Sequence, residues 1–297
     1  MLLRTFIPKA FTAICILFAS GIPTKAETEK EGIISLGAGV TEILYSLDLG
    51  KNIVAVDTTS VYPKEALATK KNVGYVRTLS AEGILSLEPK IILADAIAGP
   101  ADAISLIQQA GVKFVRVPEG LNPEKDIRDR IETIAKATDE QDKGSALVKE
   151  VEANLAKVTE EKKKHPLGKR VLFILSASNG RIMIGGKDTN IDHILSFIGA
   201  RNVGASVTGW KPISEEGIIA AAPEVILVMS KGHGPGSIPD DLFALPAFAS
   251  TPAAKSKALI TVDAPYLMSY GPRTPVAALA LLKLIHSENT GPQELKQ

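Results

Sequence analysis

A phenol, a guanidinium and a carboxylate fall close together in Gly74-Tyr75-Val76-Arg77-Thr78-Leu79-Ser80-Ala81-Glu82-Gly83-Ile84. On extended backbone, side chains two apart project to the same side, so Tyr75 and Arg77 are expected to share a face. A guanidinium there donates to the phenol oxygen and favours its ionised form. Phenolate is a hard anionic donor, and tyrosine is one of the few side chains that ligate ferric haem iron. A turn tyrosine beside a solvated arginine fits the same residues, and the segment alone does not separate the two readings.

The elements that position this segment follow from composition and periodicity. The chain has 297 residues, 45% of them hydrophobic and 23% charged. That describes a globular protein long enough for two domains. A net charge of +1 shows no basic excess for nucleic acid. Residues 1–26 read as a secretory signal: Arg4 and Lys9, an apolar run from Ala10, and small residues at Thr24-Lys25-Ala26. The run is too short to span a membrane. Ile14 before Cys15 fits a lipid-anchoring signal poorly. The expectation is therefore an exported, unanchored, monomeric protein of the periplasm. Removing the signal leaves 31 basic and 33 acidic side chains, a net charge of −2, and no cysteine. Disulfides, thiol nucleophiles and thiolate metal sites are then excluded.

After the leader, short apolar strands alternate with helices: strands near 32–36, 52–57, 90–94 and 113–117, with helices near 40–49, 81–87 and 101–110. This alternation predicts a parallel α/β lobe over residues 27–138. Residues 139–166 are charged and rich in Ala and Leu, with Leu147, Val151, Leu155 and Val158 at helical intervals. They predict one long connecting helix. A second lobe, 167–297, repeats the strand–helix pattern and closes with a helix from Pro275 to His286.

An internal repeat relates the lobes. Ser80-Ala-Glu82-Gly-Ile-Leu-Ser-Leu-Glu-Pro89-Lys-Ile-Ile-Leu93 matches Ser214-Glu-Glu216-Gly-Ile-Ile-Ala-Ala-Ala-Pro223-Glu-Val-Ile-Leu227. The fold expected is α/β, two Rossmann-like lobes with parallel sheets joined by one long helix, with a ligand cleft between them.

With these features the chain resembles the helical-backbone class of ABC-transporter substrate-binding proteins, which serves siderophores, cobalamin and haem. Gly74-Tyr75-Val76-Arg77, Val56-Asp57-Thr-Thr-Ser60-x-Tyr62-Pro63, Leu245-Pro246-Ala-Phe-Ala-x-Thr251-Pro252 and Tyr270-Gly271-Pro272-Arg273-Thr274-Pro275 are similar to the periplasmic haem (hemin)-binding proteins. The resemblance implies no catalysis, ferric haem b as the transported ligand and a dimeric permease in the inner membrane as partner. It implies that Tyr75 is the axial iron ligand with Arg77 beside it. It also implies that Glu82 and Glu216, one on each lobe, dock on permease arginines. As plain residues, both acids equally suit the positive end of a helix. Cobalamin and ferric-siderophore receptors of the same class remain alternatives. A tetrapyrrole metal chelatase is a rival of another kind, but it needs a cleft base paired with a carboxylate, and no such pair is apparent.

Further candidates line the expected cleft. Lys231 and His233 follow a second-lobe strand, where loops face the cleft of open α/β sheets, and they are candidates for the far haem face or a propionate. Tyr266 and Tyr270 offer rings to stack on the porphyrin, and Arg273 a guanidinium for a propionate, although packing of the C-terminal loop explains them equally. Ser176-Ala177-Ser178-Asn179 contains no histidine, which argues against a second stacked haem. His165, His193 and His286 read as structural. The four histidines show no metal-ligand spacing, which argues against a zinc or manganese receptor.

Overall fold

A computed structural model describes residues 32–120, 122–178, 181–230, 241–288 and 291–295. The first lobe runs β1 (Ile33–Leu36), α1 (Ala38–Ser46), β2 (Ile53–Val56), α2 (Lys64–Thr69), β3 (Lys71–Asn72), α3 (Ala81–Leu85), β4 (Ile91–Asp95), α4 (Ala101–Gln109), β5 (Lys113–Val117) and α5 (Pro123–Ala137). After α6 (Gln141–Lys163) come β6 (Arg170–Ser178), β7 (Arg181–Gly185), α7 (Asn190–Phe197), β8 (Arg201–Asn202), β9 (Trp210–Ile213), α8 (Glu215–Ala221) and β10 (Val225–Met229). The chain closes with α9 (Pro246–Ala249), α10 (Pro252–Ser256), β11 (Leu259–Val262), α11 (Ala264–Met268), α12 (Thr274–Ile285) and β12 (Gln293–Leu295). Among the described residues no helix is long and apolar enough to cross a membrane.

The first sheet has the order β3-β2-β1-β4-β5 and is parallel throughout. Its strand order reverses between β1 and β4, so a crevice opens at their carboxyl ends, near Gly37 and Asp95. The second sheet, β12-β11-β10-β6-β7-β9 with β8 on β6, is mixed. Its β12, β11, β10 and β6 are parallel, but β7 runs antiparallel to both β6 and β9. The expected wholly parallel second sheet is thus extended by an antiparallel hairpin. Short runs such as Ile182-Met183-Ile184 specify a strand but not its direction.

The 134-residue repeat is also a repeat of backbone. Ser80 and Ser214 both cap a helix by accepting from the amide three residues on, Gly83 and Gly217. Each helix is followed by a left-handed residue, Glu88 at φ 48° and Ala222 at φ 44°, immediately before Pro89 or Pro223. The strands β4 and β10 follow in register.

Asp139, at φ 58°, breaks the helical run into α5 and α6. At 1.5 Å per residue the 23 residues of α6 span about 34 Å, shorter than the run 139–166 suggests. One face of α6 buries Gly144, Leu147, Val151, Leu155 and Val158. A Cβ on Gly144 would lie 2.5 Å from the Ala135 methyl, so this glycine lets α5 and α6 pack closely. The α6 face belongs to one apolar cluster with Ile43 and Ile131 of the first lobe and Phe173 and Leu281 of the second. The lobes therefore share a core.

That continuity makes the α6 face costly to erode. Leu155→Ala is expected to lower unfolding stability by about 2–4 kcal/mol in denaturant titration, and an effect below about 1 kcal/mol would contradict the shared core. At the far end of α6, His165 stacks on His286 with ring centroids 3.9 Å apart. Burial, then the neighbouring His165 and Lys169, push the His286 imidazole below its ordinary value. The folded state then binds fewer protons than the unfolded chain. Stability should be full above about pH 6.5 and fall as pH drops from there towards the folded-state value. His286→Phe should flatten this acid limb of the melting temperature, and an unchanged limb would refute the assignment.

Candidate functional site

The Tyr75 segment is a turn laid across the carboxyl edge of the first sheet. Thr78 N–H donates to Tyr75 O (2.8 Å), so Val76 and Arg77 occupy the centre of a β-turn. The segment is tied at both ends. On the β2 side, Val73 N–H donates to Val56 O and Thr58 N–H to Gly74 O. On the β4 side, Gly99 N–H donates to Val76 O and Leu79 N–H to Gly99 O. Val76 and Leu79 are buried pegs, whereas Tyr75 is 45% exposed and Arg77 is exposed. The shared face expected from extended backbone is replaced by this turn, and the Tyr75 hydroxyl and Arg77 make no hydrogen bond to each other. Ile97, 37% exposed, lies on the β4-side loop and adds an apolar group to the same edge.

Asp57 holds the supporting loops. It is fully buried and accepts from Gly37 N–H (2.8 Å), Thr59 N–H (2.9 Å), Thr59 Oγ1 (2.7 Å) and Ser60 Oγ (2.9 Å). A buried carboxylate is tolerated when its lone pairs are filled in this way. Hydroxyl contacts continue from Ser60 to Thr41 and Ser35, at 2.7 Å each. The turn after β1, the loop after β2 and, through Thr58, the Tyr75 segment are thereby fixed to one another.

The lobes meet below this edge. Glu42 of α1 is 3% exposed and accepts from Arg273 N–H (2.7 Å), Nε (3.0 Å) and Nη2 (2.8 Å). The Arg273 guanidinium also lies 3.1 Å from the Tyr62 ring centroid and 4.9 Å from that of Tyr266, a cation–π arrangement. A Cβ on Gly39 would approach the Ser269 carbonyl oxygen to 2.2 Å, so only glycine fits where α1 meets the second lobe. Arg130, fully buried, donates to Asp95 Oδ2 (2.8 Å) and Pro118 O (3.1 Å). Beyond β5, crowding by protein and then Asp95 push the Glu119 carboxyl above its usual range. Asn190 of the second lobe, Arg130 and Arg77 act in the opposite direction.

The sequence candidates separate accordingly. Tyr75 and Arg77 stand together on the open edge. Tyr266 is 7% exposed and Tyr270 1%, and burial pushes the Tyr270 hydroxyl well above its ordinary value. Arg273 is engaged with Glu42. These three are junction residues in this conformation. Lys231 and His233 lie outside the described residues. Glu82 and Glu216 are exposed in the first turns of α3 and α8. The Glu216 carboxyl is held below its usual value by its own backbone N–H and by Ser214. Glu42 and Arg130 carry no spacing signal in the sequence, because each is a lone charge whose partner lies far along the chain. Asp57 lies in a quoted motif, but its acceptance from Gly37 N–H depends on the fold.

A lobe with a parallel sheet, a lobe with a mixed sheet, one joining helix and an exposed phenol on the carboxyl edge make up the build of a two-lobed binding protein. The chain belongs to the Periplasmic binding protein family, which matches residues 33–266. It is 31% identical over 212 residues, 70% of this chain and 67% of the relative, to the ABC transporter substrate-binding lipoprotein YvrC of Bacillus subtilis. It is 30% identical over 218 residues, 72% of this chain and 76% of the relative, to the Vitamin B12-binding protein of Vibrio parahaemolyticus. Among solved structures it is similar to the periplasmic heme-binding protein RhuT of Roseiflexus sp. RS-1 in apo form. There the TM-score is 0.79 at 33% identity, covering 86% of this chain and 98% of that one. The chain is thus a substrate-binding component of an ABC transporter that acts outside the cytoplasm.

Arg273→Met would leave the Glu42 carboxylate buried and unpaired. It is expected to cost about 3–5 kcal/mol in denaturant unfolding, and a cost below about 1 kcal/mol would show that the pair does not hold the junction.

Proposed function

We propose that the protein captures ferric haem and delivers it to an inner-membrane ABC permease, with the Tyr75 phenolate as axial iron ligand. One observation carries this reading: a large aromatic hydroxyl stands 45% exposed on a loop braced at both ends. Exposure leaves its oxygen available to a metal, and the bracing limits the ordering cost of binding. A free tyrosine ionises near pH 10, so the ferric charge, with Arg77 two positions on, must stabilise phenolate at neutral pH. Tyr75 and Ile97 supply apolar surface against a porphyrin face, and the likeness to RhuT supports the same ligand. Glu82 and Glu216, exposed at equivalent turns of the two lobes, suit docking on a permease with matching two-fold symmetry. Cobalamin is the second reading, favoured by the Vibrio relative.

Hemin added to the purified protein should give an absorption band from iron–tyrosinate charge transfer. Tyr75→Phe should remove that band and lower hemin affinity at least about tenfold, or 1.4 kcal/mol. An unchanged spectrum and affinity would overturn the ligand assignment. Tighter binding of cyanocobalamin than of hemin in a parallel titration would favour the cobalamin reading.

A further inference from the structure

A second cluster of metal-binding atoms lies away from the Tyr75 edge. A groove of about 850 Å³ runs between the start of α5 (Pro123, Glu124), the last turns of α6 (Lys162, His165) and the start of α7. On its α7 wall, Asp188, Asp192 and His193 each place one donor atom within 4.8 Å of the others. We propose that these three residues bind a divalent transition-metal cation.

Two of the three donors are already aimed. Asp192 accepts from Asp188 N–H on Oδ2 (3.0 Å) and from Asn202 Nδ2 on Oδ1 (2.9 Å), so its carboxylate is fixed at the head of α7. A carboxylate so engaged keeps free lone pairs for a cation. His193 Nδ1 stands 3.5 Å from the Tyr270 hydroxyl, which comes from a different segment. Tyr270 is buried, and its hydroxyl oxygen can accept a hydrogen bond from Nδ1–H, the tautomer that leaves the Nε2 lone pair free. Such an outer partner on the second nitrogen is what metal-binding histidines usually have. Asp188 is exposed and supplies the adjustable third donor. Donors around one zinc-sized ion stand about 3 to 4 Å apart, a closure that rotation of an exposed Asp side chain provides.

The basic groups of the groove do not neutralise these acids. Lys162 Nζ donates to Phe197 O (3.0 Å), Lys163 pairs with Glu160 (2.6 Å) and His165 stacks on His286. One imidazole nitrogen with two carboxylates suits zinc, cobalt or manganese, with water in the remaining positions. Histidine spacing did not reveal the cluster because two donors are aspartates, one of them, Asp188, on a left-handed backbone at φ 63°. Through Tyr270 a bound cation would bear on the junction of the lobes. The site is independent of the haem reading.

The test is titration of the purified, hemin-free protein with Co²⁺. The expected result is a visible d–d absorption band that saturates at about one equivalent and is abolished by Zn²⁺. His193→Gln and Asp188→Asn should each weaken Co²⁺ binding at least about tenfold, while Asp102→Asn, an exposed acid on α4, leaves it unchanged. Circular dichroism and melting temperature establish that each variant is folded. If His193→Gln does not fold, the exposed Asp188→Asn decides alone. Absence of a saturating band, or the same band and affinity in a folded Asp188→Asn variant, would overturn the proposal.

Discussion

The relation between the lobes depends on one buried ion pair. Glu42 sits in the first helix and Arg273 before the last, and three hydrogen bonds join them. Burying two charges is expensive, and their attraction compensates only with close geometry and filled lone pairs. Here the carboxylate takes two side-chain donors and a backbone amide, and the guanidinium spends its remaining face on Tyr62 and Tyr266. The pair works as a positioning device: it sets where α12 begins and how the second lobe abuts α1. The Gly39–Ser269 contact and the apolar cluster shared along α6 then act on lobes already in place.

Tyr62 links that constraint to the ligand edge. It lies in the loop after β2, whose conformation is set by Asp57 and its four donors. The same loop receives Gly74 through Thr58. A connected path thus runs from the junction to the Tyr75 turn through a ring contact, the backbone of the loop after β2 and hydrogen bonds. The exposed phenol is held by its neighbours, as a preorganised donor requires. The antiparallel hairpin of the second sheet takes no part in this path.

Much of this was legible in the residues. The repeat from Ser80 to Leu93 and from Ser214 to Leu227 encodes a cap, a left-handed residue and a buried strand, features that depend on local sequence, and all three recur in the structure. The spacing of Leu147, Val151, Leu155 and Val158 encodes a helix with one apolar face, which α6 is. The step from the first lobe to the connecting helix was legible near 138–139, but not that Asp139 makes it through a left-handed backbone. Nor was the Glu42–Arg273 pair, whose partners are 231 positions apart and meet only through the tertiary fold. Tyr270 and Arg273 showed aromatic and cationic chemistry but not its direction, and the fold turns both towards the junction. The Tyr75 segment was visible as a phenol beside a guanidinium, yet its bracing from two strands away was not.

The central claim is that the junction fixes the lobes, so that the Tyr75 edge keeps one position relative to the second lobe. Distance measurement by pulsed electron spin resonance tests it most directly, with labels on Lys64→Cys and Lys211→Cys in a Cys15→Ser background. One label then reports on each lobe. The predicted result is a single narrow distance distribution that shifts by no more than about 2 Å when hemin is added. A broad or two-component distribution without ligand, collapsing by many ångströms on hemin addition, would contradict it.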